Sequence, residues 1–249
     1  MLLREGDART FVMDRRLGCS LAAVAGAVNA AGFLAVGYYS ANMTGNLSSL
    51  SMGLRAADLP LALSCLGLIG AFVSGAVLSA WLVNAGRHRR RRAIYAYGIL
   101  LEAALLGGLG ASDLLLWAGV RGLVLAYGLS FLMGLQNATV TRISGARVRT
   151  THMTGMLTDF GIELADWLEA VRRPGDPARI AQVRQRLALH GGIVLSFACG
   201  GAAGAMAYGW WRAGALLGLA PVLAWLALPG ALADARDRMA GRAPRGPVA

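Results

Sequence analysis

Apolar residues along this chain fall in six long blocks rather than in the stripes that mark amphipathic surface helices. They cover residues 17–37, 59–85, 93–111, 114–136, 187–211 and 213–232. A block of about 20 apolar residues crosses a hydrocarbon core of about 30 Å as a helix. The pattern therefore predicts an all-α polytopic membrane protein with about six spans. The first block is long and lacks an early Ala-x-Ala site, so it is expected to be a retained span rather than a cleaved leader. Ser112-Asp113 predicts a tight turn between the third and fourth blocks. The connections over residues 38–58 and 137–186 are more polar but hold apolar residues of their own.

Composition agrees. Of 249 residues, 56% are hydrophobic and 15% charged, against about 25% charged in ordinary soluble chains; the mean hydropathy is +0.54. Net charge is +11, and every basic residue is Arg. In a soluble protein such a balance points to nucleic acid, but here the Arg lie between apolar blocks. No nucleic-acid partner is expected; the expected partners are the bilayer and its anionic headgroups. All but Arg55, Arg121 and Arg212 fall in four places: before the first block, in the Arg87–Arg92 run, from Arg142 to Arg186, and after the sixth block. The positive-inside rule then puts residues 1–16 and both termini in the cytoplasm. The tail, 234–249, reads as solvated and mobile. Cys19, Cys65 and Cys199 lie inside apolar blocks at spacings that fit no disulfide or metal framework. No cofactor is expected.

The chain also repeats itself. Gly26-Ala27-Val28-Asn29-Ala30, followed by Asn42-Met43-Thr44-Gly45, is echoed by Gly134-Leu135-Gln136-Asn137-Ala138, followed by His152-Met153-Thr154-Gly155. Two blocks follow each triplet, so residues 17–112 and 113–233 read as two related three-span halves. Three is odd, so the second half must be inverted relative to the first. Inverted repeats are a transporter architecture with the solute site near the midplane, where the halves meet.

Both Thr-Gly segments read as helices too short or too polar to cross alone. One reading makes them half-helices dipping in from opposite faces, their open N–H groups turned toward a polar or anionic solute. Thr44 and Thr154 would then offer hydroxyls, and Gly45 and Gly155 close backbone approach. The other reading makes them surface helices lying on the membrane. Asp159, Glu163 and Asp166 share one helical face, which is expected to be solvated.

Asn29-Ala-Ala-Gly32-Phe33-Leu34, with Gly37-Tyr-Tyr-Ser40-Ala-Asn42-Met43-Thr44-Gly45-Asn46, resembles the first signature of the YoaK-type family. The second stretch, Gly134-Leu-Gln136-Asn137-Ala138, then Gly145 through Arg149-Thr150-Thr151-His152-Met153-Thr154-Gly155 and Leu157-Thr158, is similar to that family's other signature. The resemblance covers both halves. It implies a bacterial inner-membrane protein with a domain of unknown function, acting as a small-molecule permease. Its signatures gather Asn29, Gly32, Asn42, Thr44, Gly45, Asn46, Asn137, Arg149, Thr150, Thr151, His152, Thr154, Gly155 and Thr158 as substrate-binding candidates. Asn29 departs from the Asp that the family leads one to expect.

Glu102 and Arg121 are intramembrane charges, functional candidates by default; adjacent helices could bring them together as an ion pair, which would either fix helix register or serve transport. His152 is a candidate proton switch or a hydrogen-bonded structural His; His190 is expected near an interface. Ala71/Gly75/Ser79 and Gly200/Gly204 have the small-x-x-x-small spacing of close helix packing. The leading functional reading is a transporter or channel for a small polar or anionic solute. A non-transporting receptor or assembly factor is the alternative, and a homo-oligomer stays open. An intramembrane enzyme is the least favoured: Ser130 lacks a Gly-x-Ser-Gly context and there is no His-Glu-x-x-His motif.

Overall fold

The computed structural model describes residues 2–89, 91, 93–173 and 176–240. Arg90, Arg92 and the tail from 241 onward, with Arg242 and Arg245, lie outside the described residues. A 3-10 turn (Gly6–Ala8) precedes eight helices, and no strand occurs among the described residues: α1 Phe11–Val36, α2 Met43–Arg55, α3 Leu59–His88, α4 Ile94–Leu115, α5 Ala118–Ile143, α6 Met153–Arg172, α7 Pro177–Trp211 and α8 Ala213–Met239. All but α2 and α6 are long and apolar enough to cross a membrane. The chain is a polytopic helical membrane protein. Its outer surface carries apolar side chains, Trp81 (74% exposed), Trp210 (75%) and Trp225 (72%) among them, as a surface solvated by lipid tails requires.

Local chemistry explains the ends. Asp58 Oδ1 accepts from Leu61 N at 3.0 Å to open α3, and Asp176 opens α7 from just before Pro177. Gly37, at φ 77°, closes α1 in the left-handed conformation that a glycine adopts freely.

The residue register gives the direction of each span. Along α1 and α7 the facing pairs Gly18–Ile193, Gly26–Phe197 and Ala27–Gly204 ascend together, so these helices run parallel. Gly75–Phe131 and Ser79–Thr139 show the same for α3 and α5. Pairs Gly110–Leu217, Gly107–Ala220 and Ala96–Gly230 make α4 and α8 antiparallel. Arg87, at the end of α3, bonds Glu5 ahead of α1, so α3 descends where α1 ascends. The first helix of the second half, α5, is thus antiparallel to α1. The halves are inverted copies, and each packs its third helix of four (α3 or α7) on the first of the other (α5 or α1).

These crossings are made by glycine. A Cβ on Gly26 or Gly134 would overlap the carbonyl of Phe197 or Phe72, and one on Gly75 or Gly200 the carbonyl of Phe131 or Ala23. The four sites are two equivalent pairs, 108 residues apart in α1 and α5 and 125 apart in α3 and α7. The Arg-rich segments meet at one end of the bundle, where Arg147 pairs with Asp14, Arg142 Nη1 donates to Asn84 at 2.8 Å, and Leu2 packs by Gly230.

Several expectations need correction. Ser112 and Asp113 do not form the turn; α4 continues to Leu115, because Asp113 is buried and accepts from Tyr208 Oη at 3.0 Å. Helix α7 begins at Pro177, not at 187, since α6 packs along its early turns. The tail does not become irregular at 234: α8 continues to Met239, and Asp234 accepts from Tyr97 Oη at 3.1 Å. On the acidic face of α6, Asp159 and Asp166 are exposed as expected. Glu163 is instead buried, 2.9 Å from His190 Nδ1 on α7, because that side of α6 covers its neighbour. Cys19, Cys65 and Cys199 are free.

If the four glycine crossings hold the halves together, Gly75→Ala and Gly134→Ala should lower the melting temperature of detergent-purified protein. The cost should reach about 1–3 kcal/mol each, the usual penalty of overpacking. Gly122→Ala, whose new methyl meets open space, should leave it unchanged.

Candidate functional site

Each half interrupts its fold after the first helix. The loop after α1 returns toward mid-span because Asn29 Oδ1 accepts the N–H of Ala41 at 3.0 Å. The equivalent Asn137 Oδ1, on α5, accepts from Thr151 Oγ1 at 2.8 Å. In each half, therefore, an Asn near the end of the first helix pins the turn that starts the short one. Asn42 and His152 occupy the equivalent N-cap positions of α2 and α6. Gly45 and Gly155 are glycine because a Cβ there would collide with the Asn42 amide or the His152 ring.

The two turns border one cavity of about 690 Å³, within the usual range for small-molecule sites of roughly 300–1,000 Å³. Asn29, Asn42, Thr44, Gly45 and Ser48 line it from the first half, and Asn137, Thr151, His152 and Thr154 from the second. Phe72 and Phe197, from the middle stretches of α3 and α7, close its apolar walls. The half-helices therefore enter from opposite ends of the bundle and begin near mid-depth. No Asp, Glu or Arg stands among the lining residues.

The two entrances differ chemically. Asn42 Oδ1 accepts the Gly45 N–H at 3.0 Å and so caps α2. His152 gives α6 no side-chain cap, which leaves the first N–H groups of that helix, with their partial positive charge, open beside the cavity. Arg149 Nη1 lies 3.2 Å from His152 Nδ1. An Arg side chain can only donate, so in this contact His152 Nδ1 is the acceptor. One side of the cavity is thus a capped helix start, and the other an uncapped one with Arg149 just outside the lining.

Eight of the sequence candidates thus meet at one place: Asn29, Asn42, Thr44, Gly45, Asn137, Thr151, His152 and Thr154. Gly155 and Arg149 support His152 from just outside. Thr150 is buried one layer behind, its Oγ1 3.4 Å from Gln136 Oε1. Gly32 packs against Leu129 and Asn46 is buried on α2; Thr158 bonds back to the Thr154 carbonyl at 3.0 Å. These three do not line the cavity. The candidate pair of Glu102 with Arg121 does not form. Arg121 turns to Asp113 at 3.7 Å, while Glu102 is fully buried and accepts from Gln136 Nε2 at 2.7 Å. Sequence reasoning missed Gln136 as a site residue, along with Phe72 and Phe197. For the two rings a signal existed: Phe72-x-x-Gly75 and Phe197-x-x-Gly200 repeat at the same offset.

If water fills this cavity, thiols placed on its lining should be reactive. With the native cysteines replaced, Thr44→Cys and Thr154→Cys are expected to label with a small hydrophilic maleimide. Thr139→Cys, buried between α3 and α5, should stay unlabelled.

The chain belongs to the family described as a protein of unknown function, DUF1275, whose model matches residues 17–228. No curated protein and no solved structure matches it significantly.

Proposed function

We propose that this member of the unknown-function family is a transporter or channel for a small polar or anionic solute, with its site in the cavity between the two Thr-Gly turns. The observation that carries the reading is the meeting of both half-helix starts at one cavity, from opposite ends of the bundle. Inverted halves around a midplane site suit alternating access, since rocking one half on the other opens the same site to either face. Open N–H groups at α6, the His152 ring and nearby Arg149 favour an anion or a strong hydrogen-bond acceptor. Thr44, Thr154 and Asn137 supply neutral donors and acceptors to orient it. Nothing in this arrangement calls for bond-making chemistry, and we read the protein as a carrier rather than an enzyme. The Arg-rich end is taken as the cytoplasmic side of a bacterial inner membrane, in contact with anionic headgroups.

The test is a melting screen of purified protein against formate, oxalate, lactate, phosphate and sulfate, followed by uptake of the stabilising solute into proteoliposomes. A solute at 100 times its Kd should stabilise the wild type by about 2.7 kcal/mol. In Thr44→Val/Thr154→Val, uptake should fall by roughly ten-fold or more, since each lost hydrogen bond costs about 1 kcal/mol. Unchanged uptake in that double variant would remove the cavity from the transport path.

A further inference from the structure

We propose that Glu102 is a proton-binding site coupled to the solute cavity, so that the protein moves a proton together with its anion. The proposal rests on the cavity reading above and adds to it. Glu102 sits about 12 Å along α4 from Ile94, at 1.5 Å per residue, and is fully buried. Gln136 Nε2 donates to its Oε1 at 2.7 Å, and Oε2 has no partner. The charged groups on the helices packed against α4 are engaged elsewhere: Arg87 of α3 with Glu5, Arg121 and Arg142 of α5 with Asp113 and Asn84, and Asp234 of α8 with Tyr97. His88 of α3 and Arg236 and Asp237 of α8 lie at helix ends, far along the chain from Glu102. Tyr95, Tyr97 and Asp113 are the other titratable groups on α4 itself, and Asp113 is held by Tyr208 and Arg121. An ionised carboxylate with an orphaned oxygen in an apolar interior is costly, and a proton removes its charge.

Gln136 carries the state of Glu102 to the cavity. Its amide has a donor end and an acceptor end. In the structure Nε2 serves Glu102, and Oε1 receives the Thr150 hydroxyl at 3.4 Å. Once the protonated Glu102 carboxyl donates its O–H as a hydrogen bond to that amide, the amide turns over: Oε1 faces the carboxyl, Nε2 faces Thr150, and the Thr150 hydrogen must find another acceptor. Thr150 is joined directly to Thr151, which lines the cavity and bonds Asn137. Only the O–H bond of the Glu102 carboxyl is made and broken; the proton comes from water and returns to it. A monovalent anion and a proton carried together add no net charge, so a membrane potential does not oppose the step.

Two measurements on the full-length reconstituted protein test this. Infrared difference spectra across a pH titration should show, among the bands of the chain's 13 acids, one protonated-carboxyl band that shifts in D2O and is missing in Glu102→Gln; wild-type and Glu102→Gln spectra that differ by no such band overturn the proton site. Second, maleimide labelling of Thr154→Cys is compared with and without Glu102→Gln, so that the thiol's own ionisation cancels in the ratio. The ratio should change by roughly 5-fold or more across the pH range in which the band titrates, the lower end of ordinary coupling between sites. A flat ratio overturns the coupling. Should Glu102→Gln not fold, Thr150→Val, which leaves the carboxyl in place, must keep the band and flatten the pH dependence. A thiol inert in every background sinks the cavity reading instead, and the band alone then decides whether Glu102 binds a proton.

Discussion

The architecture depends on backbone meeting backbone at four glycines. Lipid tails are as apolar as leucine, so no hydrophobic force drives spans together within a bilayer, and close packing has to do so. Gly26 and Gly200 let α1 and α7 touch, and Gly75 and Gly134 do the same for α3 and α5. Because each crossing joins one half to the other, neither half buries its crossing face alone.

The same crossings build the cavity. Asn29 and Asn137 stand three residues beyond Gly26 and Gly134, so the helix contact places both amides against the half-helix turns. Phe72 and Phe197 offer their carbonyls to the glycines and their side chains to the cavity wall. Packing and site are one construction. Within it the two copies have diverged. The N-cap is Asn42 in one half and His152 in the other; Asn29 holds a backbone N–H and Asn137 a threonine hydroxyl. A two-fold scaffold thereby presents a one-sided electrostatic surface, as recognition of an asymmetric solute requires.

Three of the buried acids, all away from the cavity, each found a different solution to burial. Asp113 takes the Tyr208 hydroxyl and a partly exposed arginine, Glu163 takes His190, and Glu102 takes only an amide. The first two secure contacts between helices. Glu102 is held more weakly and is linked to the cavity through Gln136 and Thr150, which makes it the acid best placed to respond to what the cavity holds.

The amino-acid sequence by itself determined the spans, the inverted duplication and the turn residues that line the cavity. Block length, charge asymmetry and repeated Asn-Ala and Met-Thr-Gly motifs are local properties, legible without neighbours. It misplaced the ends of α4 and α7, the fate of Glu163 and the partner of Glu102. Each of those depends on which side of a helix faces which other helix. Position along the chain gives depth along a helix axis; it carries no rotation about that axis and no neighbour. Only the tertiary structure, by crossing α1 over α7 and α3 over α5, decided that Arg121 turns to Asp113 and that a glutamate in the bundle interior meets a glutamine one layer behind the cavity.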